Sequence, residues 1–151
     1  MKELQRISDL FSNLYDGEPW IDTTLVGSLQ NISYLKAAEK YKNCNSIWEI
    51  ANHIIAWREN VLQRVQGKVI TTPNHNYFES INDISENAWK NTLQHLEESQ
   101  QKWMVFLEHF DKKKFDKIYP NNNLNYYEHI HGIIQHDAYH LGQITILSKL
   151  V

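Results

Sequence analysis

Apolar residues recur three and four apart in four stretches of this chain, and polar or breaker-rich segments separate them. In residues 2 to 15, Leu4, Ile7, Leu10, Phe11 and Leu14 keep helical spacing until Asp16-Gly17-Glu18-Pro19 interrupts it, which predicts a first helix. Ser46, with Glu49 three positions on, reads as a capping box opening a second helix over Ile47 to Gln66, ended by Gly67. Its inward stripe is Ile50, His53, Ile54, Trp57, Val61 and Val65. Ser85 and Glu86 open a third, with the stripe Trp89, Leu93, Leu96, Gln100, Trp103, Leu107 and Phe110. The fourth runs from about Asn125 to Leu150.

Between these stretches the pattern weakens. Residues 22 to 42 suggest one short helix from about Leu25 to Ile32 and an irregular approach to the second long helix, with Trp20 expected to anchor the excursion to the bundle. Residues 68 to 84 hold Pro73 and three Asn without a period, and so form a long loop. Fully extended it reaches about 55 Å, against about 30 Å for a 20-residue helix, so it can cross a bundle and let the second and third helices run parallel. A polar connection with Pro120 fills 111 to 124. Four amphipathic helices bury their stripes most economically as an all-α four-helix bundle, here with a long crossover between helices 2 and 3. One domain over residues 1–151 is expected. Gly132 and Gly142, inside the last helix, are expected to let another helix approach closely.

Charge and cysteine content narrow the class of partner. A net charge of −3 lacks the electropositive footprint that nucleic-acid or anionic-membrane binding requires, and Lys112-Lys113-Lys114, flanked by Asp111 and Asp116, reads as a solvated loop. No run has the length of a membrane span or the form of a signal peptide. The single cysteine, Cys44, allows no intrachain disulfide. These features point to the cytoplasm.

The last helix changes the picture. Its stripe contains His129, Ile133, His136, His140, Gln143 and Leu147. His136 and His140 stack one turn apart, a spacing that can grip one divalent metal ion, and His53 on the second helix supplies a third imidazole if the two helices pack. The alternative is three core histidines bonded to side chains or carbonyls, and spacing leaves both open. His129 lies two turns before His136, about 10 Å away, too far to share the ion; it either lines a pocket or is a partly exposed polar residue. Tyr139, 60° from His136 on the helical wheel, either reaches a bound ligand or packs on a neighbour. Trp57 can form an apolar wall. Glu49 is accounted for by its cap, and His75, His95, His109 and His131 read as surface. No nucleophilic triad or phosphate loop is present.

Several of these segments resemble one known family. Trp48-Glu49-Ile50-Ala51-Asn52-His53-Ile54-Ile55-Ala56-Trp57 is similar to the second helix of the DinB/YfiT-like metalloenzymes, and Glu18-Pro19-Trp20 to the motif after its first helix. The segment from Tyr126 to Ile144, with its His-x-x-Tyr-His-x-Gly-Gln-Ile pattern, resembles the closing helix and is the most specific part. The resemblance implies a four-helix bundle with a long crossover, a divalent metal site of His53, His136 and His140, and a homodimer. Some members are transferases or isomerases that use a low-molecular-weight thiol. The expected function is therefore a metal-dependent enzyme holding Zn²⁺, Ni²⁺ or a similar ion, acting on a small molecule as a thiol-dependent S-transferase. Metal-dependent hydrolysis is the alternative chemistry, and a non-catalytic metal-binding dimeric module or a metal-free bundle are the alternatives of other classes. Imidazole ligands suit Zn, Ni, Cu and Fe alike.

Overall fold

Side-chain caps start most of the helices. In the computed structural model, which describes residues 2–151, α1 spans Lys2–Tyr15, α2 Leu25–Leu29, α3 Tyr34–Ala38, α4 Ile47–Val65, α5 Glu86–His109 and α6 Tyr126–Leu150. Ser46 and Glu49 form the reciprocal capping box of α4, Asn125 and Glu128 a second one at α6, and the Ser85 side chain accepts from Ala88 N at the start of α5. The four long helices pack together and, among the described residues, no strand forms and no helix is long and apolar enough to cross a membrane.

The excursion after α1 differs from expectation in two ways. It holds two short helices, because Thr24 caps Gly27 N at 3.0 Å and Ser33 caps Lys36 N at 3.2 Å, and each cap starts its own turn. Trp20 does not anchor it: the indole is 97% exposed. Leu25, Leu29 and Ala37 are buried in its place, and the Trp89 indole donates to Ile32 O at 2.9 Å.

Cross-helix contacts give the directions. Trp48 Nε1 donates to Thr92 Oγ1 (2.8 Å), and ten residues further along α4 Trp103 Nε1 donates to Arg58 O (3.1 Å), so α4 and α5 advance together and are parallel. Ser12 meets Met104 and Tyr15 meets Glu97, which sets α1 antiparallel to α5. The segment between α4 and α5 therefore traverses the bundle. Tyr119, buried in the 111 to 124 connection, accepts from Ile70 N (2.8 Å) and donates to Ile70 O (3.1 Å), tying that connection to the crossover.

The interior is apolar at both ends and charged between. One cluster gathers Leu25, Ile47, Trp48, Ile54, Trp89 and Leu141, another Ile7, Phe11, Val61, Trp103, Tyr126 and Ile130. Arg58 Nε donates to Asp137 Oδ2 at 2.7 Å with both side chains fully buried, and the same guanidinium reaches Ser99 Oγ and Gln100 Oε1. This network joins α4, α5 and α6. Gly132 and Gly142 do not mark a close helix approach, since a Cβ added at either would meet no atom within 4 Å.

Candidate metal centre

α4 and α6 bring three imidazoles into one cluster. One ring nitrogen from each of His53, His136 and His140 lies within 4.8 Å of the other two, with His53 and His140 buried and His136 half-buried. His53 Nε2 and His136 Nε2 are 3.1 Å apart. The ring centroids of His136 and His140 are 4.4 Å apart, as a one-turn offset on α6 dictates.

The backs of two rings are held by oxygen acceptors. His53 Nδ1 donates to Asn76 O at 2.7 Å, and His140 Nδ1 donates to Gln143 Oε1 at 2.6 Å. A carbonyl oxygen only accepts, so in both rings the proton sits on Nδ1 and the Nε2 lone pair faces the cluster. Burial, followed by the nearby His140 and His136, lowers the His53 pKa from 6.5 to about 4. Burial also lowers that of His140. Both rings are therefore neutral near pH 7, the form that ligates a metal. Behind His136, the buried Nδ1 has no hydrogen-bond partner and stands 3.8 Å from Asp137 Oδ1, itself unpartnered. Three ring nitrogens within 4.8 Å of one another, two of them in rings whose Nδ1 is held from behind, suit a divalent ion, so the cluster can hold one.

The crossover supplies the cover. Phe78 stacks on His53 at 3.9 Å between centroids and 7° between planes, and Asn76 Oδ1 accepts from Trp57 Nε1 at 3.1 Å. Tyr77 Oη accepts from Asn60 Nδ2 at 2.6 Å. Asn76 and Tyr77 both adopt positive φ, 51° and 60°, a conformation that costs an L-residue about 1–2 kcal/mol. That cost is offset by their hold on His53, Trp57 and Asn60. Sequence reasoning identified a long loop but not Asn60, Asn76, Tyr77 or Phe78.

The other candidates fall around this centre. Trp57 and His129 line one cavity of about 270 Å³ with His136, Val61, Arg64 and Ile133. His129 is buried, and burial and then Arg64 lower its pKa. Gln143 orients His140 and also donates to Tyr139 Oη at 3.3 Å; Tyr139 is 65% exposed and edge-on to His140. Glu49 stays with its cap and with Lys40 at 2.8 Å. His75, His95 and His109 are exposed as expected, whereas His131 is half-buried against Tyr127, where its position on the first turns of α6 tucks it under that ring. Arg58, Asp137 and Arg64 also went unnoticed in the sequence, although Arg64, eleven positions after His53, continues its stripe.

Comparison with known proteins gives one answer. Neither the curated proteins nor the solved structures contain a match to this chain. The family model described as the DinB superfamily matches residues 23–144, which include all three clustered histidines and most of the chain, and the protein therefore belongs to the DinB superfamily.

Proposed function

We propose that the protein is a metal-dependent enzyme in which His53, His136 and His140 hold a divalent ion such as Zn²⁺ or Ni²⁺, and that it transfers a small-molecule thiol to an electrophile. The observation that carries this reading is the donor set: three imidazoles converge, two with their Nδ1 protons held by Asn76 and Gln143. A divalent ion on three neutral ligands keeps its full charge and lowers the pKa of a thiol or water in a remaining position.

The preference for a thiol rests on the surroundings. Hydrolysis is helped by a base that manages the protons of water, and the neighbouring carboxylate, Asp137, is buried behind His136 and bound to Arg58. Glu128, at the cavity wall, is engaged in the α6 cap. A thiol, with an ordinary pKa of about 8.5, needs less help to ionise. The thiol proton passes to solvent water, the sulfur forms the new bond to carbon, and the leaving group departs with its electron pair. Trp57, Val61 and Ile133 give the reacting groups an apolar wall.

Metal content decides the first half of the proposal. Mass spectrometry of untagged protein purified without chelator is expected to find about one ion per chain, and little in His136→Ala. No ion in the wild type, even after adding Zn²⁺ or Ni²⁺, would return the histidines to core packing and end the enzyme reading. For the second half, cysteine added to cobalt-substituted protein should produce a sulfur-to-cobalt absorption band. An unchanged spectrum would favour the non-catalytic module.

A further inference from the structure

Arg64 stands out in the cavity beside the histidines. It is only 8% exposed, yet among the described residues no carboxylate lies within ion-pair distance of it. Its single hydrogen bond goes from Nη2 to Thr72 Oγ1 at 3.1 Å, and its buried Nε has no partner. The guanidinium lies between two aromatic faces, 5.3 Å from the Trp57 centroid and 5.0 Å from that of Tyr119. Cation–π contact offsets part of the loss of water but supplies no acceptor for the remaining N–H groups. Removing a charge from water without a counter-charge costs several kcal/mol, so a buried, unpaired guanidinium in a cavity wall is arranged for an anion that arrives from outside.

The position of Arg64 bounds the size of that visitor. The guanidinium carbon lies 5.3 Å from the Trp57 ring centroid and that centroid 5.9 Å from the His136 ring, so the anion seat stands within about 11 Å of the histidine cluster. The cavity of about 270 Å³ runs between them, room for about nine waters at about 30 Å³ each, with Val61, Ile133 and Leu124 as apolar lining. Glu128, the one acid on the wall, is exposed to solvent and forms no ion pair with Arg64 within 4.0 Å.

We propose that this cavity selects small molecules carrying a carboxylate or similar compact anion within about 11 Å of the reacting group, with Arg64 binding the anion and an apolar segment lying between. The proposal rests on the reading of His53, His136 and His140 as the reacting end, but the anion subsite itself is built without them. Arg64 is a specificity-determining residue in this arrangement, since it selects the substrate without touching the reacting atoms.

Octanoate and 1-octanol test it, because they share an eight-carbon chain that the cavity can hold and differ in the anion. Binding to the full chain is read by tryptophan fluorescence, with and without Co²⁺, in wild type, Arg64→Gln and Arg64→Lys. The wild type is expected to bind octanoate at least about tenfold more tightly than octanol; Arg64→Gln should abolish the difference and Arg64→Lys keep part of it. Equal affinities in the wild type overturn the proposal, and so does a preference that survives Arg64→Gln. If Arg64→Gln fails to fold, the wild-type comparison and the partial preference of Arg64→Lys decide in the same way. Cobalt absorption, read separately, reports on the metal: an octanoate preference in a protein that binds no cobalt would keep the anion subsite and remove the metal reading.

Discussion

Asn76 and Gln143 perform the same task on two different rings, one through its backbone and one through its side chain. Gln143→Leu is expected to raise the metal Kd about 10–100-fold while leaving all three histidines in place, as competition with a chromogenic chelator would measure. An unchanged Kd would mean that the hydrogen bond to His140 contributes nothing to metal affinity. The metal-free protein also carries a pH signature. His53 titrates near 6.5 when unfolded and at about 4 when folded, because burial and the two neighbouring imidazoles disfavour its cation. The unfolded chain thus takes up a proton that the folded chain refuses, so this contribution to stability is complete above about pH 6.5 and is lost as pH falls toward about 4. Burial lowers His140 and His129 in the same sense. Urea midpoints should fall through that window, and by less in His53→Asn. A flat profile would contradict the burial of these rings. At this scale His136 and His140 were legible because their spacing repeats the helical period, and His53 because its segment resembles the family's second helix. Asn76 was not, because the atom it contributes is a carbonyl oxygen that every residue carries.

The long helices were legible for the same reason as His136 and His140, since stripe and cap agree at α4, α5 and α6. What the pattern could not convey is pairing between elements. Arg58 on α4 and Asp137 on α6 look like ordinary exposed charges in sequence, yet they form a buried pair that Ser99 and Gln100 of α5 complete. Asp137→Asn should destabilise the fold by about 3–5 kcal/mol, because Arg58 would keep its charge in the interior without a counter-ion. Denaturant unfolding measures this, and a loss below about 1 kcal/mol would refute the interior placement. Gly142 gives the opposite expectation. It sits exposed on α6 with open space where a Cβ would go, so Gly142→Ala should stabilise by up to about 1 kcal/mol with metal content unchanged. Any destabilisation would reveal a neighbour that the isolated chain lacks.

Taken whole, the molecule exposes several large apolar side chains, among them Leu35, Val69, Val105 and Ile146, with the indole of Trp20 the most exposed. We infer a homodimer from the family resemblance alone; sedimentation velocity should give twice 17.9 kDa for the wild type. A monomeric wild type would remove the inference. Loop length allowed the parallel course of the two helices it joins and the family resemblance implied it, whereas the loop's own conformation, without a period, was not legible. The parallel course of α4 and α5 has a consequence for inheritance. An antiparallel pair could be rejoined by a short hairpin and its loop remodelled freely. Here the segment that presses Phe78 and Asn76 onto His53 is also the only covalent link between two helices whose joined ends lie at opposite poles. Its extended reach of about 55 Å exceeds the roughly 30 Å it must span, so its outer parts can shorten, whereas the Asn76 to Phe78 stretch that covers His53 can change only by substitution.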